Sequence, residues 1–297
     1  MKVVSGFSEE TAFEVRLTGA QRLPFVFNSP HSGRCYPADF VAASRLDRGR
    51  IRASEDAYVD DLFASVTAFG APLMRAHFPR VYLDVNREPY ELDPGMFDEP
   101  LPAFINTRSL RVVSGLGTIA RIVGEREEIY RASLDVDEAL QRIETLYKPY
   151  HARLRHLLAR THVNFGYAIL IDCHSMPSSV RGQDRWRRPD FIIGDRHGTS
   201  CARSLSDAAT RILRDLGYHV VRNKPYAGGF ITEHYGRPAT GLHALQIEIN
   251  RGLYLNEVTM EKHAGFKRLA ANMATFVQRL IAFESGAGLG PMADAAE

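Results

Sequence analysis

The sequence predicts an α/β protein in which helices flank a mostly parallel β-sheet. Short runs rich in β-branched and aromatic residues alternate with longer amphipathic stretches, which is the order expected of strands joined by crossover helices. The chain has 297 residues, 45% of them hydrophobic, and can bury a large core. It has no evident internal repeat and no linker long enough to force a division. We therefore expect a single domain over 1–297, with the small and polar residues 285–297 as a frayed tail.

The elements follow in order along the chain. The runs that predict strands are residues 25–28, 81–85, 167–173, 189–195, 218–222 and 242–249. The segments with helical spacing are residues 55–69, 125–162, 200–216 and 259–283. Ser54 is expected to cap the first helix, and Pro149 to break or kink the second. Residues 88–117 lack a steady periodicity, and a loop of that length in a compact domain is usually a functional lid or a disordered segment.

Composition excludes several classes of function. The 37 basic and 35 acidic residues are intermixed, so the chain lacks the basic blocks that nucleic-acid binding would favour. Its apolar runs fall far short of the roughly 20 residues that span a bilayer, and its first residues lack the apolar core of a signal peptide. The three cysteines form no CxxC motif, which fits a reducing compartment. We expect a cytoplasmic protein that acts on a small molecule; the sequence does not indicate its oligomeric state.

Polar side chains stand at the ends of four predicted strands. Ligands of open α/β sheets bind beyond the carboxyl ends of the strands, so these side chains are candidate site residues. They are His31, Asn86, Arg87, His174 and Glu248.

These residue types suit a metal-dependent hydrolase. A catalytic zinc ion takes three protein ligands and keeps one position open for water, and His31 and His174 offer two of the three. Glu248 is placed to accept a proton from that water. Arg87 presents a planar fork that matches a carboxylate, and Asn86 can add a hydrogen bond.

Neighbouring residues allow more than one interpretation. Asp172 either orients a ligand or hydrogen-bonds loop backbone. Cys173 points to the opposite face of its strand from His174, so a small core residue is expected there rather than a catalytic dyad. A serine hydrolase is disfavoured because no GxSxG motif is present. GLGTIA fits the dinucleotide pattern GxGxxA, but it follows an irregular loop rather than a strand. A metal-free binding module on the same fold is the rival from another class.

Several ordered segments carry a family resemblance. SPHSGRCYP, EDAYVDDLF, RVYLDVNREPYELDPGMF, LIDCHSMP, AGGFITEHYGRP and GLHALQIEINRGLY resemble the N-formylglutamate amidohydrolase family over residues 24–280. That family is related in fold to the zinc carboxypeptidases and to aspartoacylase and succinylglutamate desuccinylase. The resemblance implies a three-layer sandwich with a mixed, mostly parallel central sheet, of the zinc-carboxypeptidase or phosphorylase/hydrolase type. It also implies one divalent metal ion, Zn²⁺, and hydrolysis of an N-acyl acidic amino acid such as N-formyl-L-glutamate, a step of histidine catabolism. A deacylase for another N-acyl amino acid is the alternative.

The resemblance also assigns roles to individual positions. The implied metal ligands are His31 of PHSG, His174 of DCHS and an acid of EDAYVDDLF, where Asp56 is preferred over Glu55. Glu248 matches the general base, and Asn86 with Arg87 matches the pair that binds the substrate carboxylate. Arg121 and Arg181 fall in segments that can reach the substrate.

Two positions depart from the wider pattern. Many relatives in the superfamily use an HxxE motif, but Arg34 stands at the fourth position of that motif here. Glu233 stands where the family favours a basic residue. If position 233 contacts the acidic side chain of the substrate, specificity would differ from that of the family.

Overall fold

A computed structural model describes residue 7 and residues 9–124, 127–181 and 187–287. The strands are β1 (Phe13–Arg16), β2 (Phe25–Ser29), β3 (Leu73–Ala76), β4 (Ile122–Val123), β5 (Glu127–Glu128), β6 (Ala168–Met176), β7 (Phe191–Gly194), β8 (Val220–Arg222), β9 (Leu242–Asn250), β10 (Leu255–Asn256) and β11 (Glu261–Lys262). The α-helices are α1 (Glu9–Ala12), α2 (Ala38–Ala43), α3 (Val59–Leu62), α4 (Val66–Phe69), α5 (Leu110–Val113), α6 (Val136–Arg142), α7 (Lys148–Phe165), α8 (Arg203–Asp215), α9 (Phe230–Tyr235) and α10 (Gly265–Ala287). Helix α10 thus includes the first residues of the predicted tail, and residues 288–297 lie outside the described part of the chain.

The main sheet has seven strands in the order β1-β3-β2-β6-β9-β7-β8. Strands β3, β2, β6 and β9 run parallel, whereas β1 is antiparallel to β3 at one edge. Strands β7 and β8 are parallel to each other, and β7 is antiparallel to β9. The predicted mixed, mostly parallel sheet with flanking helices is confirmed.

Helices cover both faces of this sheet. Helices α8 and α10 contribute to the hydrophobic core on one face, and α6 and α7 contribute to the core on the other. Side chains alternate along β6, so Ile171 and Cys173 lie in the α8/α10 core while Leu170 lies in the α7 core. The prediction that Cys173 is a core residue is confirmed. Asp172 and His174 continue the α7 face towards the carboxyl end of the strand, where that face becomes polar.

The predicted strand at residues 81–85 is wrong. The backbone turns there, because the amides of Tyr82 and Leu83 donate back to the carbonyl of Pro79 (2.9 and 3.3 Å). The sheet position is taken instead by β3, which precedes this turn. Asn86 therefore lies on a loop, whose path is fixed by a hydrogen bond from the Asp84 amide to Thr118 O (2.8 Å).

The predicted helix at residues 55–69 is also wrong in part. It divides into the two short helices α3 and α4, and Tyr58, with a φ of 63°, stands before the first in place of Ser54. The residues just before Tyr58 contact the loop that follows β2, because the Asp56 amide donates a hydrogen bond to His31 O (3.0 Å). This contact brings Asp56 to the carboxyl edge of the sheet.

The long helical segment predicted at residues 125–162 is shorter in the structure. Helix α6 begins only at Val136, with the Asp135 side chain accepting from the Glu138 amide at its N-terminus. The helical backbone continues through Pro149 without a gap, because α6, a π-helical turn and α7 follow one another directly. The π-helical turn is Ile143–Tyr147. None of the described helices has the length and hydropathy needed to cross a membrane.

Candidate active site

A cavity of about 470 Å³ opens at the carboxyl ends of β2, β6 and β9. We call one side the strand wall; it is formed by His31, His174, Gln246 and Glu248, which lie on or directly after these strands. We call a second group of lining residues the loop wall; it is formed by cavity-lining residues of the segments 80–87 and 111–124.

A buried His-Asp-His cluster lies at the base of the cavity. One ligand-type atom each from His31, Asp56 and His174 lies within 4.8 Å of the others. Asp56 Oδ2 is 3.0 Å from His174 Nδ1 and 3.4 Å from His31 Nδ1. Such a group can hold a metal ion, since two imidazoles and one carboxylate are a common set of zinc ligands.

Two further carboxylates orient the histidine rings. His31 Nε2 donates to Asp84 Oδ1 (2.7 Å), and His174 Nε2 donates to Asp172 Oδ2 (2.8 Å). Each bond leaves the Nδ1 atom directed at the cluster, and the buried His31 Nδ1 has no hydrogen-bond partner in the described residues. Of the two interpretations left open for Asp172, the structure shows the orienting contact. Asp84 was not among the candidates from the sequence, because it fell inside the predicted strand at residues 81–85 and not at its end.

Asp56 is held by cations and hydroxyls on its other side. Its Oδ1 accepts hydrogen bonds from Arg251 Nη2 (3.1 Å) and Ser175 Oγ (3.2 Å). Burial alone would raise the pKa of Asp56, but the hydrogen bond to His174 and the nearby ring of His31 hold it well below the usual value. The pKa of His174 is raised well above its usual value, since Asp172 and Asp56 outweigh the effect of burial. A cation at Nδ1 would take the place of the proton that these carboxylates favour.

Glu248 lies beside this cluster. It pairs with His174 in the register of β6 and β9, and it is 8% exposed. Burial raises the pKa of the Glu248 carboxyl to about 7, with His174 lowering it and Asp56 raising it. A carboxyl group with a pKa near neutrality can both accept and return a proton at physiological pH.

Gln246 fixes the orientation of Glu248. The Gly229 backbone N–H donates to Gln246 Oε1 (2.9 Å), so the amide nitrogen must face the other way, where Nε2 donates to Glu248 Oε1 (2.9 Å). Sequence reasoning missed this residue. The available signal was its spacing: in ALQIEIN it stands two residues before Glu248 and therefore on the same strand face.

The loop wall carries arginines. Arg80 Nη2 donates to Asp84 Oδ2 (2.8 Å), whereas Arg87 donates to the backbone carbonyls of Leu116 and Asn86 (both 3.0 Å). Among the described residues no carboxylate lies within hydrogen-bond distance of Arg87; Asp84 is 3.8 Å away. Burial lowers the pKa of Arg87; Asp84 opposes this effect, and the charges of Arg80 and Arg111 add to it. Arg111, which sequence reasoning also missed, lines the same cavity.

Asn86 ties this loop to its surroundings. Its Oδ1 accepts from the Ile231 amide (2.8 Å), and its Nδ2 lies 3.2 Å from His174 Nε2. A Cβ at Gly229 would lie 2.4 Å from the Asn86 amide, so only glycine fits there. Binding of substrate by Asn86 stays a prediction; the contacts present are to the protein.

The remaining candidates lie away from the cavity. Arg121 pairs with Asp93 (2.7 Å), and Arg181 is exposed; the structure brings neither to the cavity lining, and their contact with substrate stays a prediction. Glu55 pairs with Arg52 (2.8 Å), so Asp56 rather than Glu55 faces the histidines. Arg34 and Glu233 lie outside the cavity lining and pair with Asp60 (3.2 Å) and Arg196 (2.7 Å), respectively.

Comparison with known proteins places this site in a family. The model of the N-formylglutamate amidohydrolase family matches residues 23–255, which include every member of the His-Asp-His cluster and Glu248. The chain belongs to that family. Its members are amide-hydrolysing enzymes by name. The family model also spans both walls of the cavity.

Individual relatives agree with this assignment. N-formylglutamate deformylases of Pseudomonas putida and Pseudomonas aeruginosa are each 30% identical to the chain, over 80% of its length and 83% and 84% of theirs. The crystal structure of an N-formylglutamate amidohydrolase from Ralstonia eutropha JMP134 is 36% identical, with a TM-score of 0.85 over 93% of this chain and 98% of that one. A structure from Agrobacterium tumefaciens, 19% identical with a TM-score of 0.66 over 93% of this chain and 97% of that one, shares the fold.

Proposed function

We propose that the protein hydrolyses N-formyl-L-glutamate to formate and L-glutamate, with one zinc ion as cofactor and Glu248 as the general base. The observation that carries the proposal is the placement of Glu248 beside the His31–Asp56–His174 cluster, in a cavity that arginines also line. The names of the curated relatives supply the substrate.

The cluster suits a divalent metal ion on grounds of its own chemistry. The buried and unpartnered Nδ1 of His31 is directed towards Asp56, as is Nδ1 of His174, and both rings are oriented by carboxylates. These three side chains would hold the ion. When bound there, zinc would polarise a carbonyl group and lower the pKa of water.

Substrate recognition is assigned to the loop wall. Arg87 has donors that no carboxylate of the described residues occupies, and its planar fork would bind a carboxylate of N-formylglutamate. Anchoring that carboxylate places the formyl group towards the strand wall. Arg80, whose charge is shared with Asp84, lies on the same side as a second cation for the oxyanion that forms during attack.

Glu248 would move the proton. Gln246 binds its Oε1, which leaves Oε2 free to accept a proton from water as the water attacks the formyl carbon. The same carboxyl group then returns the proton to the amine that leaves. A pKa of about 7 suits both transfers.

The test is a hydrolysis screen of N-formyl, N-acetyl and N-succinyl derivatives of Glu, Asp, Gln and His, with and without a chelator. We expect formate release from N-formyl-L-glutamate that the chelator abolishes and added zinc restores. Turnover of an N-acetyl or N-succinyl substrate in preference would identify a different deacylase. Binding of acidic ligands with no turnover in the presence of zinc would identify a binding module and reject the proposal.

A further inference from the structure

The cavity holds more cationic groups than the metal cluster and one substrate carboxylate account for. Among the described residues, four arginines line it: Arg80, Arg87, Arg111 and Arg251. Arg80 is bonded to Asp84 (2.8 Å), and Arg251 to Asp56 (3.1 Å). Arg87 and Arg111 have no such carboxylate bond in the described part of the chain.

Arg111 keeps its donors free. The nearest approach recorded for it is 4.0 Å, between its Nη1 and Glu91 Oε2, which is beyond hydrogen-bond distance. Its side chain is 33% exposed, and no described atom accepts a hydrogen bond from its guanidinium group. Glu91 Oε2 is buried and has no hydrogen-bond partner among the described residues, so it is the nearest counter-charge of Arg111, but it leaves the guanidinium donors without a hydrogen bond and able to bind a ligand.

The backbone holds Arg111 in place beside Arg87. Helix α5, which carries Arg111, is capped by Ser109, whose Oγ accepts from the Val112 amide (3.1 Å). The Leu116 amide then donates to Arg111 O (2.8 Å), and Leu116 O accepts from Arg87 Nε (3.0 Å). One residue thus links the two arginines.

The same segment is anchored to the loop below it. The Thr118 amide donates to Glu91 O, and the Asp84 amide donates to Thr118 O (both 2.8 Å). A Cβ at Gly117 would lie 2.2 Å from Glu91 O, so glycine is needed for this close approach. Arg111 therefore stands on a docked segment that is hydrogen-bonded to the residue orienting His31.

Arg87 and Arg111 have carboxylates only at 3.8 and 4.0 Å, beyond hydrogen-bond distance, and the charge of Arg111 is one of the effects that lower the pKa of Arg87. A monocarboxylate bound at Arg87 would leave the charge and donors of Arg111 without a ligand, whereas a ligand with two carboxylates would compensate both charges. We propose that Arg111 binds the second carboxylate of the substrate and so determines the preference for a dicarboxylic N-acyl amino acid. This inference rests on the proposed function and names the residue that binds the side-chain carboxylate of the substrate.

The experiment compares three substrates that differ in one charge each. N-formyl-L-glutamine lacks the side-chain charge of N-formyl-L-glutamate, and N-formyl-L-isoglutamine lacks the α-carboxylate charge. We expect the kcat/KM of the zinc-loaded wild type to be about 10- to 100-fold higher for N-formyl-L-glutamate than for N-formyl-L-glutamine. This ratio corresponds to the loss of one hydrogen bond to a charged group. In Arg111→Met, that preference should fall to within about threefold, through KM for the glutamate derivative, with kcat/KM for glutamine unchanged.

Matched variants test whether the preference for the glutamate derivative depends on Arg111 in particular. Arg108→Met changes an exposed arginine of the same loop that does not line the cavity and should retain the wild-type preference. Arg87→Met should lose the discrimination against isoglutamine instead. Arg111→Lys keeps the charge and should retain an intermediate preference for glutamate over glutamine, which covers the case in which Arg111→Met does not fold.

The outcomes separate the two proposals. Equal kcat/KM of the wild type for the glutamate and glutamine derivatives, or an equal loss on both in Arg111→Met and Arg111→Lys, would overturn the role of Arg111 while leaving the deformylase proposal intact. No turnover of any N-formyl substrate by the zinc-loaded wild type would reject the proposed function itself.

Discussion

The two walls of the cavity are built in opposite ways. In the strand wall, the positions of His174 and Glu248 follow from the register of β6 and β9, and each is oriented by a side chain of its own strand. The loop wall carries guanidinium groups held by backbone carbonyls and turns. The strand wall suits a cation, and the loop wall suits anions. Because a rigid sheet fixes one charge and a docked loop the other, a substrate that bridges them is held at both ends.

Within the strand wall, the same arrangement of an orienting residue and a site residue occurs on two neighbouring strands. Asp172 orients His174, and Gln246 orients Glu248, in each case from two residues earlier on the same face. The difference lies in what supports the orienting residue. Asn28 Nδ2 donates to Asp172 Oδ1 (2.9 Å) within the sheet, whereas Gln246 depends on the Gly229 amide of a loop. The residue that orients His174 is thus supported from within the sheet, whereas the residue that orients the base is supported by a loop.

The largest effect is expected for the base itself. Glu248→Gln keeps the shape and the bond to position 246 but removes the proton acceptor, so kcat should fall by about 10²- to 10⁴-fold. Zinc content, measured by atomic absorption, should stay the same, and Glu261→Gln, which changes an exposed glutamate of β11, serves as the control. A variant that retained wild-type kcat would remove Glu248 from the mechanism.

Beneath the loop wall, a neutral histidine should make stability depend on pH. His151 Nε2 donates to Val85 O, and its Nδ1 accepts from the Tyr235 hydroxyl (both 2.8 Å). Burial lowers the pKa of His151 to about 4. Between pH 6.5 and 4, His151 is protonated in the unfolded chain but stays neutral in the folded chain. The free energy of unfolding should therefore fall with falling pH, by up to about 3 kcal/mol.

This dependence is measured by urea unfolding of the metal-free protein at pH 7, 6 and 5. His151→Gln should flatten the slope, whereas His156→Gln, which changes an exposed histidine of the same helix, should leave it as in the wild type. Identical slopes in all three proteins would contradict the role given to His151.

Removing the charge that orients a ligand should weaken the metal site. Asp172→Asn replaces the carboxylate that accepts from His174 and sets an amide against Asn28, so zinc affinity should fall by about 10- to 100-fold. Competition with a chromogenic chelator measures this loss. Asp195→Asn, at a buried carboxylate that pairs with Arg222, controls for a general loss of stability. If both variants lost zinc equally, the orientation of His174 would not be the cause.

The smallest effect is expected for the residue that orients the base. Gln246→Leu removes one hydrogen bond to Glu248, so kcat should fall by about tenfold, the value of a single such bond, with little change in KM or zinc affinity. Steady-state kinetics with N-formyl-L-glutamate separate the two parameters. A rise in KM at constant kcat would instead show that Gln246 only shapes the loop around Gly229.

The strand wall was largely predictable. His31, His174 and Glu248 follow or end apolar runs, and the parallel order of β2, β6 and β9 brings such ends to one edge of the sheet. The loop wall was not. Arg87 was placed after a strand that the structure replaces with a turn, and Arg111 had no periodic signal at all, since its helix has only four residues.

Local sequence by itself determined the alternation of the strands, the polar ends of β6 and β9 and the residue types able to bind a metal ion, because hydrophobic periodicity and side-chain chemistry are properties of a few neighbouring residues. Only the tertiary structure decided that Asp56 rather than Glu55 meets the histidines and that Arg87 and Arg111 line the same cavity. Those positions depend on backbone hydrogen bonds between segments distant in the chain, such as that from Asp56 to His31, and no local pattern encodes such pairings.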